Sequence, residues 1–372
     1  ERFGVELSRH IDRQAFRLSL CAFWKRGTEV ETHWLNLLRS EGIPVFFAAE
    51  WKGRFRIGAY CRGLKVLSAY CRREEATLLH SHFQMGTLAS ILVKSMGGAK
   101  AVLRTAHITL EWGEGFVAWL LRRIFTDCVF PLTCDREVGV SQAVVDQLLS
   151  HPGARFSKFP PLLIHNAVPT QAFQKTPTQA LPEVLSSVHD GPIIGSIGRL
   201  SRQKGYRYLL EAAPRVLYEF PGARFIIIGD GELRKKLEGR AFQLGIRERV
   251  LFTGKVEDVL PFLQRMDLFV LPSLWEGFPT VLMESMACGV PVVATDVPGT
   301  RELIRDQVSG WLAPAQDARL LADAILDALR NPQKRERFAL VAKECVERFD
   351  IEAISRDYER CYHDLLIGKD EL

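Results

Sequence analysis

The sequence predicts an α/β chain made of two doubly wound, Rossmann-like halves facing across a cleft, and three observations carry that reading. From residue 17 onward, short β-rich runs alternate with helical stretches, the pattern of a parallel sheet covered on both faces. The rhythm breaks once, between "HNAVPTQAF" and "LPEVLSSVHDG", in a stretch rich in Pro, Thr and Gln, and then restarts. The 372 residues are enough to bury two separate cores.

The elements follow in order. The chain opens on "ERFGVELSRHID", where Phe3, Leu7 and Ile11 recur at four-residue spacing as on an amphipathic helix. "RLSLCAF" reads as a strand, "VETHWLNLLRSEG" as a helix and "IPVFFAA" as a strand, and a basic helix follows. Next come "TLLHSHF" (strand), "QMGTLASILVKSMGG" (helix), "AVLRTAH" (strand), "FVAWLLRRIFTDCV" (helix), "FPLTCDR" (strand) and "SQAVVDQLLSHPG" (helix). The second half begins with "PIIGSIGRL" (strand), "GYRYLLEAAPRVLYEF" (helix), "ARFIIIGDG" (strand) and "ELRKKLEGRAFQLG" (helix). It continues with "VLFTGKV", "VLPFLQRM", "DLFVLPS", "TVLMESMACG" and "VPVVATD", alternating strand and helix, and closes with two C-terminal helices. The predicted boundaries are 1–170 for a first Rossmann-like domain, 171–190 for a linker and 191–345 for a second, ligand-binding one. A C-terminal helix at 346–372 is expected to pack back on the first domain.

Composition excludes several classes. The longest apolar runs, such as "VLSAY", "RFIIIG" and "LFVLP", fall far short of the roughly 20 residues a membrane span needs. Cys21, Cys61, Cys71, Cys128, Cys134, Cys288, Cys345 and Cys361 are scattered, with no C-x-x-C pair. Reduced thiols are expected rather than a disulfide framework or a zinc site. Residues 1–170 hold 22 Lys and Arg against 15 Asp and Glu, whereas the remainder holds 27 against 29. The excess gathers in "WKGRFRIGAYCRGLKVLSAYCRR" and "LLRRIF", a pattern suited to anionic lipid or an acidic acceptor. No recognition-helix motif or aromatic platform accompanies it, so nucleic acid is not expected.

The stretch "PSLWEGFPTVLMESMACGVPVVATDVPG" carries the chemistry. A strand end leads into a loop with Glu276 and Gly277, and a helix begins near Thr280. Its unpaired N–H groups and positive dipole end form an anion site. Glu284 lies eight positions beyond Glu276, so two carboxylates beside an anion site suit a ligand that is both a phosphate and a polyol. In "GSIGRLSRQKG", Arg199 and Lys204 stand just past a strand end, offering a fork and a point charge to phosphate oxygens.

On these residues the C-terminal half resembles the retaining GT-B glycosyltransferases of family 4, the glycosyl transferases group 1. "GRLSRQKG", "IIIGDGELRKKLE", "FTGKV", "LFVLPSLWEGFP", "LMESMACGVPVVATD" and "PGTREL" match in order, and the glutamate pair fits the E-x7-E signature. "LLHSHF", "RTAH", "VGVSQAVVDQL" and "IHNAV" extend the resemblance through the first half. It implies a GT-B fold and transfer of a sugar, with retention and without a metal or other cofactor, from a nucleotide-diphosphate sugar. The acceptor would be a hydroxyl of a glycan, polysaccharide or lipid-linked molecule.

By resemblance, Arg199 and Lys204 would hold the diphosphate, Gly198 would belong to the donor-binding set, and Glu284 would receive the ribose hydroxyls. Glu276, with the backbone of Gly277, Phe278, Pro279 and Thr280, would hold sugar hydroxyls and phosphate oxygens. Lys255 and Val256 would border the base, and His107 would face the donor sugar. Thr300 and Glu302 are weaker candidates. His107, Arg199, Lys204 and Glu276 form the expected catalytic set. Fixed cations and a helix N-terminus would stabilise charge developing on the leaving diphosphate. No Asp-x-Asp occurs in the chain, and Glu276 is not assigned as a nucleophile.

"GDGELR" lacks the third glycine of a dinucleotide fingerprint, His80 and His82 lack a nearby third metal ligand, and the terminal "KDEL" is read as a charged tail rather than a retention signal. The alternative to an enzyme is a non-catalytic nucleotide-sugar binder or an inactive fragment. The expected location is cytoplasmic, with peripheral contact to an anionic membrane through the first domain. The resemblance also implies a β-strand and a Gly-Gly loop, roughly 15 residues, ahead of the opening helix. A gap or distorted pairing is therefore expected in the first sheet, with Glu1 near the cleft.

Overall fold

Two units account for the chain: Glu1–Asn166 with Ile351–Leu372, and Ala167–Asp350. The structure, a computed structural model, describes residues 2–53, 55–107, 115–174 and 191–370. The expected position of Glu1, most of the linker and the last two residues of "KDEL" lie outside the described residues.

The first unit contains α1 (Arg2–His10), β1 (Leu20–Lys25), α2 (Glu29–Ser40), β2 (Val45–Glu50), α3 (Ile57–Arg73), β3 (Leu78–Ser81), α4 (Gln84–Ser95) and β4 (Ala101–Ala106). There follow α5 (Phe116–Leu121), a π-helical stretch (Arg122–Val129), α6 (Phe130–Thr133), β5 (Arg136–Gly139), α7 (Gln142–Ser150) and β6 (Leu162–Leu163). The strands form two parallel sheets, β2-β1 and β3-β4-β5-β6, and no ladder joins β1 to β3 among the described residues. One core nevertheless spans both. Cys21 and Phe23 of β1, Phe46 of β2 and Leu79 of β3 pack with Leu67 and Cys71 of α3 and Val93 of α4. The alternate residues Leu20 and Val45 face the other way, against Val5 of α1 and Leu38 of α2, as strand periodicity requires. β4 is buried at every position, which marks it as a strand covered on both faces.

The reading of "FPLTCDR" as a strand is corrected here. Phe130–Thr133 is helical, and β5 begins only at Arg136. The aromatic and β-branched content suggested a strand, but Phe130 and Cys134 are a helical turn apart and both pack on Val102. Pro131 would ordinarily break such a helix, because it cannot donate to the carbonyl four residues back. That carbonyl, on Asp127, instead accepts from Gly153 N–H at 2.8 Å. The chain in front of the proline widens into the π stretch, closed by Phe130 N–H to the Phe125 carbonyl.

The second unit contains α8 (Thr170–Gln174), β7 (Ile193–Ile197), α9 (Tyr206–Glu219), β8 (Arg224–Ile228), α10 (Arg234–Gln243), β9 (Val250–Gly254), α11 (Leu260–Leu263) and β10 (Leu268–Leu271). It ends with α12 (Thr280–Ala287), β11 (Val292–Thr295), α13 (Pro298–Arg301), β12 (Trp311–Ala313), α14 (Ala318–Arg330) and α15 (Pro332–Val346). Its sheet runs β12-β11-β10-β7-β8-β9, with every ladder parallel. The expectation of only two helices after "VPVVATD" is corrected: β12 adds a sixth strand, and α13, α14, α15 and α16 (Ile351–Asp370) follow. Three residues are too few for a period-2 signal. α16 belongs to the first unit, where it packs on α1. The eight cysteines are free.

A buried ion pair joins Arg104 of β4 to Glu137 of β5 in the first core, with side chains 2% and 6% exposed. The Arg104 guanidinium also lies 4.8 Å from the Phe130 ring centre. Removing one member strands a buried charge. Glu137→Leu is expected to cost about 3–5 kcal/mol in urea unfolding, with Arg104→Met added to it recovering much of the loss. A loss below about 1 kcal/mol for the single change would show the pair to be unimportant.

Candidate functional site

In the second unit the site grows out of strand order. β7 hydrogen-bonds to β8 on one side and to β10 on the other, so the chain reverses its direction of travel across the sheet between β7 and β10. In open parallel sheets ligands bind beyond the carboxyl ends of the strands at such a switch point. The loops leaving those ends carry Gly198, Arg199 and Lys204 after β7, and Ser273, Glu276 and Gly277 after β10.

Backbone contacts lock the two loops together. Leu274 N–H donates to the Gln203 carbonyl at 2.7 Å, and Gln203 Nε2 to the Trp275 carbonyl at 3.0 Å. Gly205 has φ +61°, and a Cβ there would stand 1.9 Å from the Pro272 carbonyl oxygen. Only glycine fits this approach. Lys204 Nζ consequently meets Glu276 Oε1 at 2.5 Å, and Ser273 Oγ donates to the same oxygen at 2.6 Å. Glu276 is 6% exposed, so this carboxylate is held by a cation and a hydroxyl in a nearly dry place.

α12 starts four residues later with Pro279 as its N-cap and no side-chain cap hydrogen bond. Its first turn therefore presents N–H groups of the kind that hold anions. Pro279 itself contributes none, so the backbone donors expected from 277–280 come from Gly277, Phe278 and Thr280. Gly277 is pressed by α13: a Cβ on Gly299 would lie 2.4 Å from the Gly277 carbonyl oxygen. Glu284, 2% exposed, sits on α12.

Other expected residues lie apart from this cluster. Arg199 is turned outward and pairs with Glu232 at 3.2 Å. Lys255 and Val256 follow β9, two strands from β7, or roughly 10 Å across the sheet. Thr300 is fully buried, and its hydroxyl is spent on the Thr295 and Val297 carbonyls and on Val297 N–H. It caps α13. Ser273 was not foreseen from sequence. Nothing in its spacing distinguished it from the other small loop residues.

In the first unit, His107 follows β4 and His82 follows β3, both at carboxyl ends of adjacent strands. His107 Nδ1 lies 3.1 Å from Asn166 Oδ1, and His107 Nε2 lies 3.1 Å from His82 Nδ1. With Asn166 accepting, His107 carries its proton on Nδ1 and receives His82 Nδ1–H at Nε2. His80 joins Tyr362 at 2.8 Å and Thr105 at 2.7 Å, and Thr105 lies 3.2 Å from the Tyr358 hydroxyl, tying β3 and β4 to α16. The Phe3 ring of α1 stands edge-on to His82 and His107 at 5.9 and 5.6 Å. Burial pushes His80 and His107 down to about 3 and depresses His82 as well. Nothing in the sequence connects His80 and His82 with His107, because the connection is purely tertiary. Among the described residues no group of three or more His, Cys, Asp or Glu side chains is placed to hold a metal ion.

With this geometry in hand, similarity to known proteins becomes informative. Residues 178–344 match the family described as Glycosyl transferases group 1. The UDP-Gal:alpha-D-GlcNAc-diphosphoundecaprenol alpha-1,3-galactosyltransferase of Escherichia coli is 23% identical, covering 90% of this chain and 90% of that protein. The lipopolysaccharide core biosynthesis glycosyltransferase LpsE of Rhizobium meliloti (strain 1021) is 37% identical over 47% of this chain and half of its own length. Among solved structures, Anabaena Alr3699/HepE in complex with UDP and glucose superposes with a TM-score of 0.82 at 20% identity, covering 98% of this chain and 95% of that one. The fold is GT-B.

The neutral histidines give the first unit a pH signature. Each has a folded value below its unfolded value near 6.5, so the unfolded chain binds more protons below that pH. Stability is present above about 6.5 and is lost as pH falls from there toward about 3. Tm measured from pH 8 to pH 4 should fall steadily below 6.5, and His82→Gln should flatten the fall. An unchanged slope in that variant would show that His82 is not held neutral.

Proposed function

We propose that this enzyme, a glycosyltransferase of GT-B fold carrying a group 1 domain, is a retaining, metal-independent member of family 4 that moves a sugar from a nucleotide-diphosphate donor to a glycan or lipid-linked acceptor hydroxyl. The observation that carries the reading is the Lys204–Glu276 contact at the β7/β10 switch point, beside the uncapped start of α12. A cation, a carboxylate and aligned N–H donors suit a diphosphate joined to a polyol. Lys204 and the α12 N-terminus would offset the charge that develops as the anomeric C–O bond breaks, joined by Arg199 once it leaves Glu232. The acceptor oxygen would attack the face the diphosphate leaves, with a phosphate oxygen taking its proton. Glu276 stays a binding group, since Lys204 and Ser273 already hold it. His107 is proposed as an uncharged hydrogen-bonding ring for the sugar. The diphosphoundecaprenol-linked acceptor of the Escherichia coli relative and the UDP and glucose bound by the Anabaena protein support these donor and acceptor classes.

On this reading the enzyme works at the cytoplasmic face of a membrane, with its first unit touching anionic lipid. The solvent side of α3, with Arg62, Lys65, Arg72 and Arg73 exposed, supports that contact. Among the described residues β1 and β3 each have one edge without a ladder over a shared core, and these edges are read as the two sides of a place for one more parallel strand. Fast amide exchange along those edges is expected, and protection equal to that of β4 would argue against the slot.

Purified protein should be offered UDP, GDP and ADP sugars with diphosphate-lipid and glycan acceptors, and the product anomer read by NMR. Retention is expected, EDTA should leave the rate unchanged, and Lys204→Ala should lower kcat by about 10²–10³. Inversion or EDTA sensitivity would overturn those parts of the reading. Binding without turnover would leave a nucleotide-sugar binder.

A further inference from the structure

The segment 116–133 divides its apolar residues between two faces: Phe130 packs inward on Val102, whereas a second group points outward. Phe116 and Val117 are 75% and 68% exposed, and Trp119, Leu120, Ile124 and Leu132 are each more than 40% exposed. Val117, Leu120 and Ile124 are spaced three and four apart, one row on a helical surface. Exposed side chains of this size in a contiguous row mark an interaction surface.

The row does not stand alone. The 3-10 turn Ala154–Phe156 is seated on the helix where Gly153 N–H meets the Asp127 carbonyl at 2.8 Å. That turn adds Phe156, 71% exposed, with the Arg155 guanidinium 5.8 Å from its ring centre. Lys158 and Arg136 stand 5.4 and 4.7 Å from the ring centre of Phe159. Arg123 lies 5.9 Å from the ring centre of Trp119 and also pairs with Asp127 at 3.0 Å.

Charge decides what covers the surface. Asp127, Asp135 and Glu137 are buried, and each is paired with a cation: Arg123, Lys94 and Arg104 respectively. Asp146 of α7 is the one exposed carboxylate in 115–163, against Arg122, Arg136, Arg155 and Lys158, which those pairs leave over. A symmetric contact with a second copy would set these cations against themselves. An anionic bilayer answers both features, taking apolar side chains below its headgroups and cations at headgroup level.

We propose that segment 116–133 and the turn 154–159 form a membrane-docking surface that inserts Phe116, Val117, Leu120 and Ile124 into an anionic bilayer. This deepens the membrane contact proposed above and rests on it. It differs by assigning attachment to apolar insertion on this helix rather than to the cations of α3.

The test is co-sedimentation of the full chain with vesicles of phosphatidylcholine alone or with about one third phosphatidylglycerol. The variants are Val117→Ser/Leu120→Ser, Phe156→Ser and, on α3, Arg62→Gln/Lys65→Gln. Far-UV circular dichroism and donor-sugar turnover are measured on the same samples. Wild type should bind the anionic vesicles more tightly, and the double serine variant should lose at least about tenfold in vesicle affinity with turnover and circular dichroism retained. The α3 variant should lose less. Serine variants that pellet like wild type while the α3 variant does not would overturn the assignment and leave the membrane contact standing. Equal, weak binding of wild type to both vesicles, with turnover intact, would overturn both and leave the transferase reading standing. A wild-type dimer by light scattering that the serine variants make monomeric would give the surface to a second copy instead.

Discussion

Placing β7 between β8 and β10 is the constraint on which the second unit's chemistry depends. Parallel pairing sends both strands' carboxyl ends the same way, so two loops more than seventy residues apart in sequence leave the sheet side by side. Gly205 then lets their backbones touch, and a lysine and a glutamate that carry no mutual signal in sequence come within 2.5 Å. The α12 N-terminus owes its position to the same loop. If β7 were not a neighbour of β10, none of these groups would meet.

The first unit uses the same geometry differently. Its strand ends bring together neutral rings rather than opposite charges. Asn166 fixes the proton of His107, His107 accepts from His82, and His80 ties the sheet to α16 through Tyr362 and Thr105. Such a chain of hydrogen bonds between uncharged groups suits polar recognition without a fixed field, whereas the second unit concentrates charge.

Much of this was legible in the residues because strands and helices repeat with distinct periods, so alternation and the β–loop–helix setting of Glu276 could be read directly. The failures share a physical origin. β12 is too short to show a period. Phe130 and Pro131 look like strand residues until Gly153 takes the carbonyl that the proline leaves free. A side chain's partners cannot be seen in sequence, so the hydrogen bonds that occupy the Thr300 hydroxyl were not legible, and the same blindness hid Ser273, His82 and Asn166. Side-chain partners are tertiary facts, and local patterns do not encode them.

The placement of α16 reaches into how the protein is made. The second unit is one continuous stretch, Ala167–Asp350, so all its residues are available as soon as they are synthesised. The first unit is completed only by Ile351–Asp370, which supply Tyr358 and Tyr362 to its buried network. Domains ordinarily fold in the order they emerge from the ribosome. Here that order is inverted for one part of the molecule: the hydrogen-bonded network at His80 and Thr105, begun in the first unit, gains Tyr358 and Tyr362 only after the whole second unit has been made.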